Sequence, residues 1–175
     1  MKTKQIFILF LATLALSLPA ADSTNRLRFR VAGFSIAPLE SSPGDNAYQA
    51  LMMFLPATAR FAANVNVQIQ HYEGTIEEYT KLTLKQFEDA GIKVIEQKQT
   101  GKSAVIFEYS GKIEGRSLHW YARAEKTGTH VYLTTATATQ EDWPKQAGQL
   151  KTCVDSFRCE NSEAVSGSKA APQDR

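Results

Sequence analysis

The sequence predicts an α+β domain: an antiparallel β-sheet meander with two main helices packed on it. Three observations carry this. Four β-rich segments between Ile92 and Thr139 are joined by short links containing Gly101, Gly111 with Gly115, and Gly128, the mark of successive hairpins. A helical segment with its own start and stop signals lies between Gly74 and Gly91. A second helical stripe closes the block at Phe157.

In chain order, the first element is a leader. Lys2 and Lys4 precede an apolar run, Ile6–Leu18, broken only by Thr13 and Ser17, and small residues follow at Ala20 and Ala21. This is the pattern of a secretory signal peptide, spanning residues 1–21. Thirteen residues rise only about 20 Å as a helix, against a hydrocarbon core of about 30 Å, so a stable membrane span is not expected. Losing the leader removes two lysines and no acids. Twenty basic and eighteen acidic residues then become eighteen of each. A near-neutral chain without a Lys/Arg run argues against nucleic acid as a partner.

The domain is expected over residues 27–158. Leu27–Ile36 reads as one strand, with Leu27, Phe29 and Val31 alternating against arginines. Pro38–Asn46 reads as a loop. Ala47–Leu55 has the length of a strand and the composition of a helix, and Pro56 favours the strand. Its Met52 and Met53 read as core filling. In Asn64–Tyr72, Val65, Val67 and Ile69 point one way and Asn64, Asn66, Gln68 and Gln70 the other.

Thr75 with Glu78 three residues later forms a capping box, and Gly91 stands in the usual stop position. Between them Ile76, Tyr79, Leu82 (or Thr83), Phe87 and Ala90 make a helical stripe. Strands follow at Ile92–Gln99, Ser103–Ser110, Ser117–Glu125 and His130–Thr139. A final helix from about Glu141 to Phe157 carries Trp143, Ala147, Leu150, Val154 and Phe157 at spacings of four and three, with Pro144 tolerated in the first turn. Residues 159–175 are small and polar and read as a disordered tail.

No sequence motif carries chemistry. Gly101-Lys102-Ser103 resembles the end of a phosphate loop, but Glu96 stands where the first glycine belongs. Gly-x-Ser-x-Gly, His-Glu-x-x-His and Cys-x-x-Cys do not occur. No cofactor or metal is called for, and no enzyme is expected. The strand Ser117–Glu125 holds the one candidate ligand or partner surface. Its even positions are apolar, and its odd positions form a polar row with His119, Tyr121 and Arg123. That row reads either as a wet sheet face or as a working surface. In the second case Arg123 offers an anion-binding fork, Tyr121 an amphipathic contact and His119 a switchable donor. Cys153 and Cys159 are a candidate disulfide, open to a bond only if the last helix ends near Phe157. Free or intermolecularly paired thiols are the alternatives.

The order of these elements resembles the PsbP-like and DcrB-like superfamily, here as an exported bacterial member. The resemblance rests on Asn64–Val67, Thr75–Tyr79, Gly91-Ile92, Tyr132–Thr134 and Ser156-Phe157. It implies an αβα sandwich and non-enzymatic work as an accessory or binding protein. A periplasmic or secreted location and an envelope protein as partner fit the leader. No metal-binding or partner-contacting residue of the photosystem members maps onto this chain, so no photosynthetic role is implied. The alternative function is small-ligand or metal binding at His119, Tyr121 and Arg123.

Overall fold

A computed structural model describes residues 27–29, 33–36, 47–58 and 61–159. The leader expected at residues 1–21, the loop expected over Pro38–Asn46 and the tail expected beyond Cys159 lie outside the described residues. The described residues fall into two units.

The first unit is a hairpin of β1 (Leu27–Phe29) and β2 (Phe34–Ile36), in which Leu27 pairs with Ile36. This corrects the single strand expected over Leu27–Ile36. Gly33 at φ +73° takes a left-handed turn conformation that ends the extended run.

The second unit is a six-stranded, wholly antiparallel sheet with one helix on each face. Its elements are β3 (Tyr48–Phe54), β4 (Asn64–His71), α1 (Ile76–Asp89), β5 (Lys93–Thr100), β6 (Ala104–Ile113), β7 (Arg116–Thr127), β8 (His130–Thr139) and α2 (Trp143–Asp155). The strand order is β3-β4-β8-β7-β6-β5. Strands β5 to β8 form the expected meander. β4 then pairs along β8, setting Val65 opposite Ala136 and His71 opposite His130. Two of the three hairpins are tighter than the sequence suggested. β6 runs on through Gly111 to Ile113, because Glu114 and Gly115 alone make the turn, both at positive φ. Two such residues match the twist of the flanking strands.

Helix α1 begins as its sequence signals. Glu78 N donates to the Thr75 hydroxyl at 3.2 Å, and Thr75 N donates to the Glu78 carboxylate at 2.8 Å. Ile76 and Tyr79 are buried with Val105, Phe107, Ala124 and Val131. The other face is closed by α2, where Trp143, Leu150 and Val154 are buried with Ala63, Val65, Tyr121, Ala136 and Ala138. Tyr121 and Ala124 stand at odd and even positions of β7, so these clusters occupy opposite faces of the sheet. Strand β3 contradicts one expectation. Met52 and Met53 do not fill the core but stay 39% and 43% exposed, because β3 lies at the sheet's edge.

Candidate functional site

The polar row of β7 faces α2, which covers most of it. His119 is 5% exposed and Tyr121 is 7% exposed. His119 stacks on Trp143, with ring centroids 4.0 Å apart and planes within 16°. Its Nε2 lies 2.9 Å from Glu108 Oε1 on β6, and its Nδ1 lies 3.2 Å from Gln140 Oε1. Lys151 reaches in from α2 and donates to Glu108 Oε2 at 2.7 Å. Its ammonium sits 4.9 Å from the centre of the Tyr121 ring, a favourable cation–π position.

Burial alone would raise the Glu108 carboxyl. Hydrogen bonds from Lys151 and His119, with their electrostatic attraction, outweigh it and hold the group below the usual carboxylate range. The Tyr121 hydroxyl donates to Asp155 Oδ1 at 3.0 Å. Burial pushes this phenol up, and the hydrogen bond to Asp155 and the charges of Asp155, Glu108 and Glu96 add to the effect. His119 and Tyr121 are therefore seated in a polar network that fastens α2 to the sheet.

Arg123 stands apart from them. Its Nη2 and Nε donate to Glu125 Oε2 at 2.8 and 3.1 Å, so its fork is occupied within its own strand. Beyond α2 the chain folds back over this face. Phe157 packs against Tyr132 with ring centroids 5.9 Å apart. Cys159 comes beside Thr127, Glu125 and Arg123, and burial pushes its thiol up. Cys153 instead lines a 160 Å³ hollow with Met53, Leu55, Val65 and Leu150 between β3 and α2. Both cysteines are free thiols. The chain turn that a bond would need does occur at the end of α2, but it carries Cys159 towards β7.

Two surfaces escaped the sequence reading. One is the β3 edge, where Leu51 and Phe54 are 47% and 62% exposed. The other is a 270 Å³ cleft between α1 and the sheet, with Ala122 and Leu133 of the sheet among its lining residues. Each had a faint signal. The segment Tyr48–Phe54 contains no charged residue, and Thr83 interrupts the apolar stripe of α1. Among the described residues, no three His, Cys, Asp or Glu side chains gather as a metal site would need. No described helix is long and apolar enough to cross a membrane.

Fold and site together define an α+β helix–sheet–helix domain. No family model and no curated protein matches the chain. Solved structures do. A Pseudomonas aeruginosa protein of unknown function, PA94, matches with a TM-score of 0.59 at 19% identity, covering 78% of this chain and 97% of that one. That likeness shows a shared fold. The solution structure of cyanobacterial PsbP (CyanoP) from Synechocystis sp. PCC 6803 matches with a TM-score of 0.44 at 13% identity, covering 77% of this chain and 91% of that one.

Proposed function

We propose that the chain is an exported, non-enzymatic accessory protein of the cell envelope that binds another envelope protein along strand β3. One observation carries the binding surface. Among the described strands β3 has a neighbour on one side only, and it exposes Leu51, Met52, Met53 and Phe54. Edge strands are commonly protected by charge. The opposite edge, β5, follows that rule with Lys93, Glu96 and Lys98, whereas Tyr48–Phe54 has no charge at all. An open, uncharged, apolar edge suits an extended apolar segment of a partner that adds a strand to the sheet. Export rests on the leader at residues 1–21. The non-enzymatic reading is supported by the polar row, whose titratable groups are spent on one another.

The test is capture from envelope extracts with wild type and Phe54→Lys. One recurrent partner, lost in the variant and protecting the β3 amides from hydrogen exchange, is the expected result. Capture that is indifferent to Phe54→Lys would sink the proposal. A concentration-dependent dimer with the same sensitivity would make the occupant a second copy. A mature amino terminus near Ala21 or Asp22 in the periplasmic or secreted fraction tests the export. The alternative ligand site at His119, Tyr121 and Arg123 requires α2 to leave the sheet and Arg123 to leave Glu125. A ligand-dependent rise in melting temperature abolished by Arg123→Ala would restore it.

A further inference from the structure

We infer that the cleft between α1 and the sheet binds a small, uncharged aromatic molecule carrying a hydrogen-bonding group. This goes beyond the β3 surface and does not depend on it. Two short side chains line the cleft where larger ones would narrow it. Thr83 takes a place in the α1 stripe that a larger apolar residue would otherwise hold, and Ala122 on the facing surface of β7 is smaller still. The first turn of α1 is seated, with Ile76 3% and Tyr79 7% exposed, while Leu82 one turn later is 46% exposed. The helix thus closes the cleft at one end and leaves it open along Leu82, Thr83 and Gln86.

The lining sets the ligand chemistry. Its walls are five rings: Tyr72, Tyr79, Phe87, Phe107 and Tyr109. They already pack on one another. Tyr72 meets Tyr79 edge-on at 5.3 Å, and Phe87 meets Phe107 at 5.9 Å and Tyr109 at 4.4 Å. Such walls are preformed and favour a flat apolar ring. No Asp, Glu, Lys, Arg or His lines the cleft, so a charged ligand would lose its hydration without gaining a counter-charge.

Six of the eleven lining residues, Gln70, Tyr72, Tyr79, Thr83, Gln86 and Tyr109, carry an uncharged polar group. The Tyr79 hydroxyl is held by Gln70 at 3.0 Å. Tyr109 and Gln86 also line the cleft, and among the described residues neither side chain has a hydrogen-bond partner. They provide a donor and an acceptor for one polar substituent. Size narrows the class further. A cavity of roughly 150 Å³ holds benzene, and pockets for drug-sized molecules begin at about 300 Å³. At 270 Å³ the cleft suits two or three aromatic rings.

The test uses phenylnaphthylamine, a neutral probe whose emission rises in apolar sites, with naphthol and naphthalene sulfonate as competitors. Emission should rise with the protein, naphthol should displace the probe, and the sulfonate should not. Thr83→Leu fills the mouth with a good helix former and removes a hydroxyl beside Tyr79, whose own hydroxyl Gln70 still holds, so the fold should melt close to wild type. Naphthol affinity should fall at least about tenfold, which is about 1.4 kcal/mol. Tyr109→Phe should weaken naphthol and spare the probe. Phe54→Lys should change neither. No rise in emission, equal competition by the sulfonate, indifference to Thr83→Leu, or loss with Phe54→Lys would each overturn the assignment.

Discussion

Replacing Lys151 by Met removes one of the two side chains that hold Glu108. The Glu108 side chain is 11% exposed and that of Lys151 is 35% exposed. Breaking a fully buried ion pair costs about 3–5 kcal/mol, while a charged hydrogen bond contributes about 1.5–3 kcal/mol. The lower range applies, because His119 stays 2.9 Å from the carboxylate and water reaches the site vacated by a partly exposed ammonium. The expected loss is about 2 kcal/mol, a fall in melting temperature of about 8 °C for a domain of this size.

Urea unfolding followed by tryptophan fluorescence at several pH values measures this loss. The sign of its pH dependence follows from Glu108. In the fold its carboxyl lies below its usual range, so the unfolded chain binds the proton more readily. The resulting stability is complete above the unfolded value of about 4.3 and is lost as pH falls through the folded value. In Lys151→Met burial is opposed by His119 alone, the carboxyl moves up, and acid relieves the variant. The gap between wild type and variant should therefore be widest near neutral pH and should narrow on acidification. Glu108→Gln combined with Lys151→Met removes both charges and keeps an acceptor for His119, so it should recover at least half of the loss. A loss below about 0.5 kcal/mol, the range of ordinary surface changes, would refute the reasoning. So would a gap that widens in acid, or a double variant as unstable as the sum of the single ones.

Thr75→Ala should destabilise by about 1 kcal/mol in chemical denaturation, because it breaks the reciprocal cap with Glu78. Trp143→Ala should cost about 3–5 kcal/mol and should speed hydrogen exchange in β7, since it uncovers His119. Thiol titration of the unfolded chain should find both cysteines reactive, and reductant should leave the melting temperature unchanged. In the folded protein Cys159 should alkylate more slowly than free cysteine at the same pH, because burial pushes its thiol up. A rate equal to that of free cysteine would contradict its seat beside Thr127 and Glu125.

The amino-acid sequence by itself determined the elements of the sheet domain. Thr75 with Glu78, Gly91, the alternation in Asn64–His71 and the stripe from Trp143 to Val154 depend on contacts a few residues apart, and such signals are legible locally. It also determined the two faces of β7, because side chains alternate whatever lies above them. It did not determine which face is dry. His119 and Tyr121 look like a wet row until α2 lays Trp143 on the His119 ring and brings Asp155 to the Tyr121 hydroxyl, while Glu108 and Gln140 take the His119 nitrogens. Only the tertiary structure makes a polar row a buried one, because burial of polar atoms depends on partners brought together by the whole fold. The same holds for β3. Met52 and Met53 have core-like chemistry, and their exposure follows from the strand order, which sets β4 between β3 and β8 and leaves β3 outermost. The cleft at Thr83 and Ala122 likewise needs α1 in place above the sheet, since the helix supplies one wall and the sheet the other.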